Sequence, residues 1–128
     1  VSASGLSAES ARMDSIANNI ANANTTRTAE GGPYKRERVV IREARDPASG
    51  KPLGVKVVGM ELDQAPPRKV YDPGHPDADE GGYVALPNVN VIAEMIDMLS
   101  ATRAYEANAT AIEAAKQMAD RALDIGRF

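Results

Sequence analysis

Residues 91–125, VIAEMIDMLSATRAYEANATAIEAAKQMADRALDI, decide the architecture. Within them Val91, Met95, Met98, Thr102, Tyr105, Ala109, Ile112, Lys116, Ala119 and Leu123 follow an unbroken 4,3,4,3 spacing, the period of a coiled-coil seam. Asn90 stands where an N-cap oxygen accepts from first-turn amides, and Gly126 where a left-handed C′ residue would end the helix. The spacing predicts a helix over about residues 91–125, which at 1.5 Å per residue is roughly 50 Å long. Such a helix needs a partner along its length. Ala101, Ala104, Ala107, Ala111, Ala114, Ala115 and Ala122 spread over its other faces and let other helices approach closely. That pattern suits a packed array better than a lone hairpin, although periodicity alone serves an intramolecular and an intermolecular seam equally.

The other end of the chain carries a shorter version. Leu6, Met13 and Ile20 recur every seven residues, with Ile16 and Ala23 three after two of them, which predicts an amphipathic helix. Glu9 interrupts this seam. The run Asn22, Asn24, Thr25 and Thr26 supplies the stop, because these side chains compete for backbone hydrogen bonds.

All eight Pro lie between Pro33 and Pro87, and eight of the ten Gly between Gly31 and Gly82. A proline inside a helix costs about 3 kcal/mol, so its exclusion from both ends marks a helix, insert, helix layout. Residues 1–31 are expected to hold the first helix and its Asn/Thr-rich turn, 32–88 a β/loop insert, and 89–128 the long helix. The expected class is α+β, with the terminal helices paired as an antiparallel coiled coil and a small hairpin insert between them. In the insert, Tyr34 to Ile41 and Val55 to Leu62 are β-branched-rich runs joined by the turn formers Asp46 to Pro52. Beyond Ala65-Pro66-Pro67 a loop-rich passage continues to Gly82, with a short strand expected at Arg68 to Tyr71.

Composition limits the core. Of 128 residues 22 are Ala, one is Phe, four are Tyr and none is Trp. At roughly 25 cal/mol per Å² of buried apolar surface, a dense monomeric core is hard to build from this set, so neighbours are expected to help. The net charge of −3 argues against a dedicated nucleic-acid binder. No cysteine is present, which excludes disulfides and thiolate chemistry. No apolar run reaches the roughly 18 residues of a membrane-spanning helix, and Val1 to Gly5 show neither region of a secretory signal. Charge is uneven: residues 34–58 carry seven basic against three acidic side chains, and 59–90 two basic against six acidic.

The one cluster of ligand-type side chains, Asp72 to Glu80 with the sole His75, fails the spacing of a calcium loop. It reads as a solvated turn. Gly50-Lys51 is followed by Pro52, so no phosphate loop forms, and nothing marks a nucleophile beside a base. No catalytic, metal or cofactor-binding residue is therefore expected, and no cofactor. The basic run Lys35, Arg36, Arg38, Arg42 and Arg45 is interleaved with Glu37 and Glu43 and lacks an aromatic platform. A solvated strand face or a protein contact, with Arg36, Arg38 and Arg42 on one side, explains it better than nucleic acid.

The run Ala3 to Glu9 followed by Arg12-Met13-Asp14-Ser15-Ile16-Ala17-Asn18-Asn19-Ile20-Ala21-Asn22-Ala23-Asn24-Thr25-Thr26 resembles the N-terminal signature of the flagellar rod and hook family of axial proteins. Tyr83 to Val91, including Asn88 and Asn90, with Glu94-Met95 and Arg103-Ala104-Tyr105-Glu106-Ala107-Asn108, resembles the C-terminal signature of its proximal rod members. The short insert favours a proximal rod member over hook and distal rod members. Family members carry additional residues ahead of the first signature, which implies that the first helical turns are missing or trimmed here.

The resemblance implies a structural subunit of the basal-body rod, exported without a cleaved signal by the flagellar type III apparatus and assembled into a helical tube that crosses the periplasm and transmits torque. The implied partners are copies of the same chain, other rod proteins, the export apparatus and membrane-ring or rod adaptor components, with no nucleic acid and no membrane insertion. Leu6, Met13, Ile16 and Ile20, and Val91, Met95, Met98, Tyr105, Ala109, Ile112, Ala119 and Leu123, are then the expected assembly seams. The rival classes are a soluble type III adaptor or chaperone, and an enzyme or metal protein built on the His75 loop.

Overall fold

A computed structural model describes residues 2–126; Val1 and residues 127–128, the outermost parts of the two terminal segments, lie outside the described residues. The elements in order are α1 (Ser2–Ala21), β1 (Glu37–Arg45), β2 (Pro52–Leu62), β3 (Arg68–Tyr71), β4 (Tyr83–Leu86) and α2 (Val91–Ile125).

Asn90 is extended, and its side-chain oxygen accepts from the Ala93 amide at 3.1 Å, so α2 starts where the sequence places it. Its end departs from expectation. Gly126 has φ −70°, not a left-handed value, because its amide makes an ordinary helical bond to the Ala122 carbonyl at 3.0 Å. At the end of α1, Asn22 bonds the Asn18 carbonyl through both backbone and side-chain nitrogens, and Thr25 donates its hydroxyl to Asn22. These polar side chains take over the last turn, as the Asn/Thr run predicts.

The two helices pack antiparallel. Gly5 of α1 lies against Asn108 of α2 while Asn19 bonds Glu94, so fourteen residues up one helix match fourteen down the other. A Cβ on Gly5 would sit 2.9 Å from the Asn108 amide group, so any larger residue there would push the Asn108 side chain aside. The pairing spans α1 alone. Every residue of 113–126 is exposed. Buried apolar residues are Ala8, Ile16, Ala23, Val84, Val89 and Ala101, three of them between the helices or at their ends and small, as an alanine-rich composition dictates.

β1 and β2 form an antiparallel hairpin laid along α1, with Glu37 opposite Leu62 and Arg42 opposite Lys56. Val40 faces Gly59 while Ile41 faces Val57, so Val58 is the extra residue of a bulge. β1 begins three residues later than the apolar pattern suggests, because the Tyr34 amide bonds the Thr25 carbonyl and the Arg36 amide bonds the Asn88 side chain. It then runs on through Arg42, Glu43 and Arg45 on a solvated ladder. β3 falls at Arg68–Tyr71 as expected, but its partner β4 lies in a stretch whose four residues are too few to show alternation. Tyr71 and Tyr83 close this second hairpin edge to face, with centroids 5.3 Å apart.

Candidate functional site

The helices and the insert meet at a buried polar latch centred on Asn19 and Glu94, each only 1% exposed. The Asn19 oxygen accepts from the Glu37 amide at 2.9 Å and the Tyr34 hydroxyl at 2.8 Å. Its nitrogen donates to the Glu37 carbonyl at 2.8 Å and to Glu94 Oε2 at 3.2 Å. All four hydrogen-bonding positions of the amide are thereby used, and the first residue of β1 is gripped as a neighbouring strand would grip it. Ser15 adds a bond from Oγ to the same carbonyl, and Asn18 one to the Glu37 carboxylate.

Glu94 Oε1 accepts from Arg36 Nε at 2.5 Å, and the same guanidinium lies 3.5 Å from Asp63 and 3.9 Å from Asp97. This hydrogen bond to Glu94, followed by the surrounding carboxylates, holds the Arg36 guanidinium above its ordinary value. Burial, reinforced by the negative charges of Glu37 and Glu94, pushes the Tyr34 hydroxyl up to about 12. Asn88 ties the far side: its oxygen accepts the Arg36 amide at 2.8 Å, and its nitrogen donates to the Asp63 and Ala65 carbonyls. The α1 face at Ser15, Asn18 and Asn19 fixes where the hairpin begins, and Asn88, in the loop before α2, ties its beginning to its end.

A second tether holds the β3–β4 turn. Thr26 donates to Asp77 at 2.7 Å and Arg27 pairs with the same carboxylate, which holds it below the usual carboxylate range. His75 accepts the Asp77 amide through Nδ1. Among the described residues, no group of three or more His, Asp or Glu side chains is placed to hold a metal ion.

The other side of α2 is open and apolar. Val91, Ile92, Met95, Ile96 and Leu99 are all exposed, Ile92 at 71%, with Ile92, Ile96 and Leu99 opposite Glu94 and Ala101 and Met95 and Val91 at the edge of that face.

A family profile described as "Flagella basal body rod protein" matches residues 1–27, and one described as "Flagellar basal body rod FlgEFG protein C-terminal" matches residues 80–125. The "Flagellar basal-body rod protein FlgC" of Borreliella burgdorferi is 45% identical over 143 residues, covering 98% of this chain and 93% of the relative. Those of Salmonella typhimurium and Bacillus subtilis, with the same name, are each 40% identical and cover 99% of this chain, and 94% and 95% of the relatives. The chain belongs to the FlgC family of flagellar basal-body rod proteins. It is a structural protein of the flagellar basal-body rod.

Against that family frame, the latch joins Asn19, Asn88 and Glu94 from the matched ends to Tyr34, Arg36 and Glu37 from the unmatched middle. The remaining motif residues do other things. Asn22 stops α1, Asn90 caps α2 and Asn108 packs on Gly5, whereas Asn24, Arg103, Tyr105 and Glu106 are exposed. The basic run predicts a shared face for Arg36, Arg38 and Arg42; the structure corrects this, because Arg36 precedes β1 and turns inward to Glu94. Neither Arg36 nor Tyr34 was readable as a latch residue, since the partner of Arg36, Glu94, lies 58 positions away and that of Tyr34, Asn19, on another element.

Of the seam residues, Ile16 is buried and Leu6, Met13, Ile20, Met98 and Ile112 are half-buried. Val91, Met95, Tyr105, Ala109, Ala119 and Leu123 face solvent. The stripe of α2 that pairs with α1 is Glu94, Met98, Ala101 and Asn108, rotated from the heptad drawn on apolar spacing. A buried Glu and a half-buried Asn break any hydropathy pattern, so that rotation left no mark in the periodicity.

Proposed function

We propose that the chain polymerises through its terminal helices into the helical tube of the proximal rod, the pair acting as a coiled-coil post and torque passing through many packed interfaces in parallel. The observation that carries this is the open face near the start of α2: Val91, Ile92, Met95, Ile96 and Leu99. Fully burying one such side chain contributes about 1.5–3 kcal/mol, so five of them represent a large driving force that one copy leaves unused. Copies of the chain and other rod proteins are the partners this face suits. Export by the flagellar type III apparatus without a cleaved signal, contact with membrane-ring or adaptor components, and a position across the periplasm complete the reading. No helix among the described residues is long and apolar enough to cross a membrane.

The test is Ile92→Asp with Ile96→Asp. The variant should keep the helix content of the unaltered chain, since neither side chain touches the latch, yet be missing from isolated basal bodies and leave cells non-motile. Undiminished incorporation would exclude this face from assembly.

A further inference from the structure

On the hairpin, Arg42 stands directly opposite Lys56. Like charges facing each other across a ladder destabilise it. Their neighbours are already matched, Arg38 with Glu61 and Arg45 with Glu43. Among the described residues, Arg42 and Lys56 have no ion pair, and both are exposed. This part of the hairpin lies beside the start of α1, where the amide of Val55, the residue before Lys56, bonds Ser4 Oγ at 3.1 Å.

The opposite charge sits at the other end. The β3–β4 turn exposes Asp72, Asp79 and Glu80, and it is anchored through Asp77 to Thr26 and Arg27, just past the end of α1. Asp79 spends one oxygen on the Tyr83 amide, while Asp72 and Glu80 pair with no cation among the described residues. From Ser4 to Ala21, helix rise alone separates the two patches by roughly 25 Å. That exceeds both side-chain reach and the screening length of about 8–10 Å, so the patches cannot neutralise each other within one copy.

We infer that successive copies of this chain meet head to tail, the Arg42–Lys56 face of one hairpin receiving the Asp72–Glu80 turn of the next, an inference that rests on the polymerisation proposed above. Each contact leaves one patch of each sign free, so the interface is heterologous and propagates instead of closing into a pair. The opposed cations, costly in a lone hairpin, become a site for two carboxylates, and complementary potentials of this kind orient partners as they approach.

The chain has no cysteine, so Lys56→Cys and Glu80→Cys in one chain introduce its only thiols. Basal bodies would be isolated from the native bacterium carrying this double variant as its sole copy and treated with a short bismaleimide. The expected result is a ladder of dimers and higher multimers on denaturing gels, absent from either single variant. In parallel, Arg42→Glu with Lys56→Glu should lower incorporation at least tenfold, and adding Asp72→Lys with Glu80→Lys should restore it. Incorporation without a ladder, or charge reversal without loss, overturns the head-to-tail contact and leaves the rod assignment standing. Absence of the unaltered chain from basal bodies overturns the polymerisation itself, and this contact with it.

Discussion

At Arg36 and Glu94 the two partners of one ion pair are not equivalent. Glu94 is enclosed and, among the described residues, has only Arg36 as a cation, whereas Arg36 also touches Asp63 and Asp97. Removing Arg36 leaves a buried carboxylate without its counter-charge, a loss of about 3–5 kcal/mol. Glu94→Gln keeps a side-chain oxygen for Asn19 and leaves Arg36 two carboxylates, so its cost should be about 1–2 kcal/mol. Denaturant titration of Arg36→Met and Glu94→Gln should show that order; equal losses would mean that Asp63 and Asp97 do not hold the guanidinium. Tyr34 makes the latch sensitive to alkali. Its hydroxyl is pushed up to about 12 in the fold, against an ordinary value of about 10 in the unfolded chain. A raised folded value means that the unfolded chain loses this proton first, so the contribution is whole below about pH 10 and lost as pH climbs through 12. The denaturation midpoint of the unaltered chain should fall more steeply across that window than that of Tyr34→Phe, and parallel slopes would contradict it.

Among the elements, α2 is the one whose two halves differ physically. Its first half packs on α1 and starts from a capped turn; residues 113–125 have helical hydrogen bonds and are exposed among the described residues. An unpacked stretch of about 12–15 residues is marginally helical in water. Amide exchange in the dilute chain should therefore be slow around Ala101 and close to unprotected beyond residue 113, with protection appearing there on assembly. Uniform protection in the monomer would show that the tail needs no neighbour. Which elements form was legible because the cues are local: a 3.5-residue period, an Asn ahead of it, prolines confined to the middle. Which faces meet was not. The true pairing stripe contains a buried Glu94 and a half-buried Asn108, which are accommodated because Arg36, Asn19 and a glycine arrive from distant segments. Likewise β4 exists because Gly82, at φ +82°, turns the chain beneath Tyr71, a contact with no short-range signature.

For the whole molecule, the question is whether the work is done by an exposed helix face or by the polar turn around His75. Ala109 faces solvent in the single chain, so Ala109→Leu should leave its stability within about 0.5 kcal/mol. If a neighbouring subunit packs closely there, the same three carbons overfill the contact at about 1–3 kcal/mol per site, repeated in every copy. His75 behaves oppositely. Its Nδ1 accepts the Asp77 amide, so His75→Ala removes a real hydrogen bond, worth about 0.5–1.5 kcal/mol, but one confined to a turn that Thr26 and Arg27 also hold. Ala109→Leu should thus melt normally and fail in motility and in recovery with basal bodies, whereas His75→Ala should melt slightly earlier and swim. The two properties, stability and assembly, are read on the same pair of variants and move in opposite senses. A motile Ala109→Leu strain beside a non-motile His75→Ala strain would place the working surface in the β3–β4 turn and take it from the helix.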